Sequence, residues 1–374
     1  MALNIGTVIL RERKEKSVTQ QQLAEFLGVS KAAVSKWETG QSFPDITLLP
    51  LLAAYFNISI DALLNYQTQL TPEQIRRIYQ ALVKQLETDD SQHVLAAINN
   101  MIHRYYSCAP LVFQMGVFLL NHADLLPGES KQAKITDYFN RALTLFEHVV
   151  EITNDPQLLS KAKSYAAYCN LSLYKPDDVL AQLGEYVPEY FPNESLIAWA
   201  YLAKGDSQKA IATTQSALYQ YLAVIMSQLA NYLQLVKQQP KLFQQTFDRG
   251  VTFIESFHIK QLNPAVSINF LISAAMGFAE QQNVSLMLVC LTEYVGLLET
   301  VKLPMTLHGD DYFNRIDDWL AQTELGNSLP RDANQVSIDC VTLITENPLL
   351  MSYQNESQFQ DLLQRLNKVE ERFK

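Results

Sequence analysis

The sequence predicts an all-α protein: a small N-terminal helical unit followed by a long body of helix pairs. Three observations predict it. Glycine and proline are scarce, 12 and 14 residues in a chain of 374, whereas strand-and-turn folds need frequent turn residues. No run of residues alternates convincingly between apolar and polar with a period of two. Helix starts recur along the chain, written as a capping residue followed by proline or by glutamine three positions on.

The N-terminal unit reads as short helices with abrupt joints. Ile5, Val8 and Ile9 fall on one helical face. Thr19-Gln20-Gln21-Gln22 is a capping box, in which the hydroxyl caps the Gln22 amide and the Gln22 side chain reaches back. Leu23, Ala24 and Leu27 make the next apolar face, and Gly28 stands where a helix end needs the left-handed conformation. Ser30 reads as the N-cap of another helix. Val34, Trp37 and Glu38 share one face of that helix, Ala32, Ser35, Lys36 and Thr39 lie on the opposite face, and Gly40 closes it. A fourth helix is expected over residues 46–56, with Pro50 inside it and a kink there. Two short helices joined by a tight glycine turn form a helix-turn-helix.

The run TQQQLAEFLGVSKAAVSKWETGQSFPDITLLPLLAAYFNISIDALL carries a resemblance. Over residues 4–65 the chain resembles the lambda-repressor/Cro-type (Cro/C1-type) domain of the xenobiotic-response-element (XRE) family, with its five helices. The resemblance implies that the second helix of the motif lies in the major groove of double-stranded DNA, its N-terminal residues at base edges. By position, Lys31, Ala32, Ser35 and Lys36 would face bases or nearby phosphates. Gln20 would sit at a helix N-terminus against the phosphate backbone, and Thr39 and Gln41 are flank contacts. Each has a plainer alternative: solvated surface for the lysines, a mere helix former for Ala32. Trp37 belongs to the core, and Arg13 and Glu38 match a family pair that forms a buried ion pair.

Residues 1–66 form the expected DNA-binding domain, 67–71 the linker, and 72–374 the body. Thr71-Pro72-Glu73-Gln74 is another capping box with proline at the first helical position. From there the sequence predicts about fifteen helices of about 12–18 residues, with further starts at Asp155-Pro156, Asp206, Asn283 and Asn347-Pro348. The pattern Ile197-Ala198, Tyr201, Gly205-Asp206, Ala210 and Ala217 resembles a tetratricopeptide repeat, a helix pair with small residues at the crossing. Residues 164–188 match it in part and residues 268–298 weakly, through Ala275, Phe278 and Leu291. A tetratricopeptide-like α-solenoid is the expected body, with an irregular all-α bundle as the alternative.

An XRE-type head on such a body resembles the peptide-pheromone-sensing regulators of Gram-positive bacteria (the Rgg and PlcR type). This resemblance is one of architecture. It implies a homodimer that reads a pseudo-palindromic operator and binds a short signalling peptide through the body, which repositions or releases the DNA-binding heads. Asparagines on inner helices can donate to and accept from a peptide main chain. Asn170, Asn231 and Asn269 are mid-helix positions, unfavoured by propensity, and are the candidate peptide contacts. Solvent-facing side chains are the alternative for each.

Charge separates the two parts. Residues 1–66 carry six Lys/Arg and six Asp/Glu, while the rest carries 23 and 33, so the whole net charge of −10 lies in the body. Such a body cannot be the nucleic-acid surface. Other classes fall away. Cysteines 108, 169, 290 and 340 form no CxxC pair, which fits a reducing compartment. The six histidines show no close ligand spacing, and no phosphate-binding loop or nucleophile elbow is present. No enzymatic activity, cofactor or metal is expected. The longest apolar stretch, residues 284–298, is interrupted by Thr292 and Glu293 and is too short to span a bilayer. The N-terminal run has no secretory pattern, so a cytoplasmic protein without a membrane partner is expected.

Overall fold

The structure, a computed structural model, describes residues 5–65, 69–88, 90–187, 190, 192–302, 305–323, 326–327 and 333–373. Among these residues every regular element is helical, and there is no β-strand. The linker expected over residues 67–71 falls partly outside them.

The first five α-helices are α1 (Ile5–Glu15), α2 (Gln20–Leu27), α3 (Lys31–Glu38), α4 (Leu49–Phe56) and α5 (Ile60–Leu64). They enclose one core, in which Ile9, Leu23, Ala24, Val34, Leu52 and Leu63 are wholly buried. Their ends follow from local chemistry. Thr19 Oγ1 accepts from the Gln22 amide at 3.2 Å and the Thr19 amide donates to Gln22 Oε1 at 2.8 Å, closing the capping box. Gly28 takes φ 68°, the left-handed turn that lets α2 end and α3 begin three residues on. Ser30 caps α3 through the Ala33 amide at 3.2 Å. Gly6 is packed under α3: a Cβ there would lie 2.0 Å from the Trp37 carbonyl oxygen.

Pro50 does not kink a continuous helix over 46–56. The chain instead makes a 3₁₀ turn, Ile46–Leu48, capped by Asp45, and α4 starts afresh at Leu49. Proline then falls in the first turn of α4, where its missing amide has no intrahelical partner to lose.

The body continues as α6 (Pro72–Thr88), α7 (Ser91–Arg104), α8 (Ala109–Asn121), α9 (Lys131–Ile152), α10 (Pro156–Ser172), α11 (Pro176–Leu183), α12 (Asn193–Ala203) and α13 (Ser207–Leu235). It ends with α14 (Pro240–Ser256), α15 (Ile259–Leu262), α16 (Pro264–Glu280), α17 (Val284–Thr300), α18 (Asp317–Gln322), α19 (Ala333–Thr345), α20 (Pro348–Met351) and α21 (Ser357–Phe373). Eight of the 14 prolines, at 50, 72, 110, 156, 176, 240, 264 and 348, stand in the first turn of a helix. Scarce proline here starts helices rather than breaking strands. Thr71, Asp155, Asp206, Asn283 and Asn347 all accept from amides of the turns they open. Helix length varies more than expected, from the four residues of α15 to the 29 of α13.

Among the described residues the body is an all-α, solenoid-like succession with two large cores and a small third cluster of Tyr219, Leu222, Leu262, Phe313, Ile316 and Leu320. One lies among α6–α10 around Phe113, Phe118, Tyr138 and Phe146. The other spans α13–α21 around Phe243, Phe270, Phe278, Tyr294 and Phe359. Between them the chain is thin: α11 buries no residue and α12 buries only Ala198. Ala210 and Ala217 are buried on the neighbouring α13. Aromatic rings seated on bare backbone join helices elsewhere. The Phe146 ring lies over Gly116, the Phe243 ring over Gly277, and the Phe270 ring over Gly250. The last two contacts are reciprocal, one from α14 to α16 and one back.

Candidate functional site

α3 divides cleanly into two sides. Val34 is fully buried and Trp37 nearly so, anchoring the helix to the core. Lys31, Ala32, Lys36, Thr39 and Gln41 are exposed, and Ser35 is half-buried. Lys31, Ala32, Ser35 and Lys36 occupy positions i, i+1, i+4 and i+5, so they form one outward side of the helix. The Gln41 amide donates to the Lys36 carbonyl at 2.9 Å, which keeps Gln41 beside the helix end. Thr39 Oγ1 donates to the Ser35 and Lys36 carbonyls at 3.0 and 3.2 Å, so its proton is used within the helix and its lone pairs face outward.

The orientation of α3 is set by a network around Glu38, whose side chain is only 4% exposed. Arg13 donates to both carboxylate oxygens, from Nε at 2.6 Å and from Nη2 at 3.1 Å. Its Nη1 donates to the Val18 carbonyl at 2.8 Å. Gln20 Nε2 donates to Glu38 Oε2 at 2.8 Å. One carboxylate therefore ties α1, the start of α2 and the end of α3. Burial pushes the Glu38 carboxyl up, but the bonds from Arg13 and Gln20 and the charges of Arg13 and Lys14 outweigh it and hold the group below its ordinary value. The Glu38 carboxylate in turn raises Arg13.

The structure thus brings six of the seven expected DNA-contact residues to the outer side and C-terminal flank of α3. The seventh, Gln20, is at the first position of α2 and half-buried. Its amide nitrogen serves Glu38, which leaves the side-chain oxygen and the main-chain amide of the helix start for a phosphate. Sequence reasoning missed Gly6 and missed the part of Gln20 in the Glu38 network. The signal for Gly6 was present as a glycine inside an otherwise apolar helical face; for Gln20 there was none, because its partner is 18 residues away.

The three candidate peptide contacts separate. Asn170 is buried on α10, which packs on α9 and α11. Asn231 on α13 and Asn269 on α16 are exposed. Tyr219 donates to the Leu262 carbonyl at the end of α15 and Gln234 Nε2 to the Ser273 carbonyl of α16, both at 3.1 Å, so α13 runs beside α15 and α16 in the same direction. That register puts Asn231 and Asn269 on adjoining turns.

Residues 9–63 match the helix-turn-helix family. Over 59 residues the chain is 42% identical to the HTH-type transcriptional activator BcrR of Enterococcus faecalis, covering 16% of this chain and 29% of that protein. It is 26% identical over 104 residues to the cryptic phage CTXphi transcriptional repressor RstR of Vibrio cholerae, covering 28% of this chain and 91% of that one. Among solved structures, Bacillus thuringiensis PlcR in complex with the peptide PapR7 and DNA is similar at 15% identity and a TM-score of 0.24, covering 71% of this chain and 99% of that chain. The N-terminal unit is a helix-turn-helix domain of the XRE type.

Proposed function

We propose that the chain is a sequence-specific DNA-binding transcriptional regulator. It acts in the cytoplasm as a homodimer on a pseudo-palindromic operator, and its body binds a short signalling peptide that modulates DNA binding. Residues 1–66 are the reading head, 67–71 the linker and 72–374 the sensor and dimerisation body, which we read as tetratricopeptide-like. The observation that carries the DNA reading is the outward side of α3, where Lys31, Ala32, Ser35 and Lys36 stand on a helix held from behind by Arg13, Glu38 and Gln20. Two cations and short polar or methyl groups suit phosphates and base edges. Dimerisation follows from size, because one such unit buries too little DNA surface for tight specific binding. Exposed Asn231 and Asn269 on adjoining turns support the peptide reading.

The test is fluorescence anisotropy of DNA from upstream of the chain's own gene. It is titrated with purified protein, with and without the short-peptide fraction of spent culture medium. Specific binding with a shift of about tenfold in Kd, or ~1.4 kcal/mol of coupling, supports both parts. Specific binding without a shift removes the peptide part.

One observation favours a second reading, in which the body is a protein-interaction scaffold with no small ligand. Exposed apolar side chains crowd α10–α13, among them Leu171, Tyr174, Tyr186, Val187 and Trp199, with Val187 at 95% exposure. Surfaces of this kind mark protein contacts. Under this reading the head still binds DNA, and the partner is recovered by crosslinking in cells rather than from medium.

A further inference from the structure

The segment 305–323, which comes after α17 and contains α18, lies along α13 and is held in three ways. Phe313, Ile316 and Leu320 are buried with Tyr219, Leu222 and Leu262. Gln215 of α13 grips its main chain: Nε2 donates to the Tyr312 carbonyl at 2.7 Å, and Oε1 accepts from the Arg315 amide at 2.9 Å. At its far end, Arg76 Nη2 of α6 donates to the Thr323 carbonyl at 2.6 Å. The segment is thereby a fixed wall. The space between it and α12 and α13 is a preformed groove of about 560 Å³, within the roughly 300–1,000 Å³ of small-molecule sites.

The lining is polar, and part of it is left without a partner. Ser216 is only 6% exposed, yet just its carbonyl is engaged, accepting from Gln220 Nε2 at 3.3 Å. Its hydroxyl makes no hydrogen bond among the described residues, and neither does the hydroxyl of half-buried Thr213, one turn earlier on the same lining. A hydroxyl withdrawn from water without a partner is costly, so two beside one groove point to a ligand that satisfies them. The charges on the lining balance, Lys209 and Arg315 against Asp317 and Asp318. Lys209 already pairs with Asp206 at 3.4 Å, and Asp317 Oδ1 accepts from the Gly309 amide at 2.7 Å. A neutral ligand suits such a lining. Two half-buried rings complete it, Tyr201 and Trp319. Lys209 lies over Tyr201 at 5.5 Å, and Trp319 is backed by Tyr219, with ring centroids 6.3 Å apart. Neutral groups that both donate and accept, beside an indole, suit a ligand with a rim of hydroxyls and an apolar C–H face.

We propose that this groove binds a neutral sugar, a mono- or disaccharide, with its C–H face on Trp319 and its hydroxyls at Ser216, Thr213 and the side-chain oxygen of Gln220. The site is independent of the peptide reading, since Asn170, Asn231 and Asn269 do not line it. A sugar seated there touches both α13 and the segment that Arg76 ties to α6, the first helix of the body.

Saturation-transfer NMR on the full-length protein tests it, against a panel of neutral mono- and disaccharides with nucleosides alongside. Calorimetry then measures each binder. At least one sugar is expected to bind with a Kd of about 1 mM or tighter. Ser216→Ala and Thr213→Val, which remove one hydroxyl each and leave the packing in place, are each expected to weaken it about fivefold, the worth of one hydrogen bond. Trp319→Ala is expected to weaken it about tenfold, and circular dichroism melts show whether the wall at Tyr219 has survived that change. Sugar binding unaltered in both Ser216→Ala and Thr213→Val overturns the groove. Binding of nucleosides without any sugar overturns the ligand class. A panel in which no sugar and no nucleoside binds overturns the proposal as a whole.

Discussion

Gly6 and the carbonyl of Trp37 are in contact that admits no side chain: a Cβ on residue 6 would lie 2.0 Å from that oxygen. α1 therefore meets the C-terminal end of α3 backbone to backbone. Gly6→Ala should destabilise the head by about 2 kcal/mol although alanine is the better helix former, because a main-chain oxygen cannot rotate away. Urea unfolding followed by Trp37 fluorescence, with Trp199 and Trp319 replaced by Phe, reads the head alone. An unchanged midpoint would contradict this contact.

Glu38 makes head stability dependent on acid. Its carboxyl is held below an ordinary value of 4.5 in the folded state. A depressed folded value contributes stability that is fully present above the unfolded value and is lost as pH falls through the folded one. The Trp37-monitored stability should fall below about pH 4.5, by no more than about 1.4 kcal/mol per pH unit from this group. Glu38→Gln should lack that component. Glu38→Ala, which strands Arg13, should cost roughly 3 kcal/mol at neutral pH.

Lys36 and Ser35 separate affinity from specificity. Lys36→Ala should weaken binding to all DNA sequences and lower the salt-dependence slope by about 1. Ser35→Ala should cost about 1 kcal/mol on the operator and little on unrelated DNA. If the double variant bound the operator as wild type does, α3 would not be the reading helix.

The candidate asparagines should part company. Asn231→Ala and Asn269→Ala should each weaken the response to peptide by about fivefold, the worth of roughly 1 kcal/mol, at unchanged thermal stability. Asn170→Ala, at a buried position, should lower the melting temperature instead. Thermal scans beside peptide titrations distinguish the two outcomes.

The apolar surface of α10–α13 has two candidate occupants, another protein or, under the homodimer proposal, a second copy of the chain. Trp199 is 69% exposed there, and tryptophan is the residue type that most often anchors an interface. Trp199→Glu should shift sedimentation at micromolar concentration toward monomer. No shift would place the dimer contact elsewhere.

What was legible in the sequence was what is written locally. Thr19 and Gln22 close a box three residues wide, Gly28 turns the chain at its own φ, and Ser30 caps the helix it opens. Each can be read without knowing the fold. Pro50 was misread for the opposite reason: whether a helix restarts at Leu49 depends on a 3₁₀ turn held by Asp45. Gly6 is explained by Trp37, 31 positions on, and Gly250 by Phe270, 20 positions on. No spacing rule reaches that far. The length of α13 was available, since no glycine or proline interrupts residues 207–239, but the expectation of uniform repeats hid it.

The paired rings between α14 and α16 carry a mechanical consequence. Phe243 rests on Gly277 and Phe270 on Gly250, so each helix is pegged to the other at two points seven residues apart. Sliding by a single turn would drive both rings off bare backbone and into side chains. Relative sliding of α14 and α16 is therefore blocked at two points, so the pair is held in one register. The two helices are keyed like a lock, and a change at any one of the four positions would have to be matched at its partner to keep the key seated.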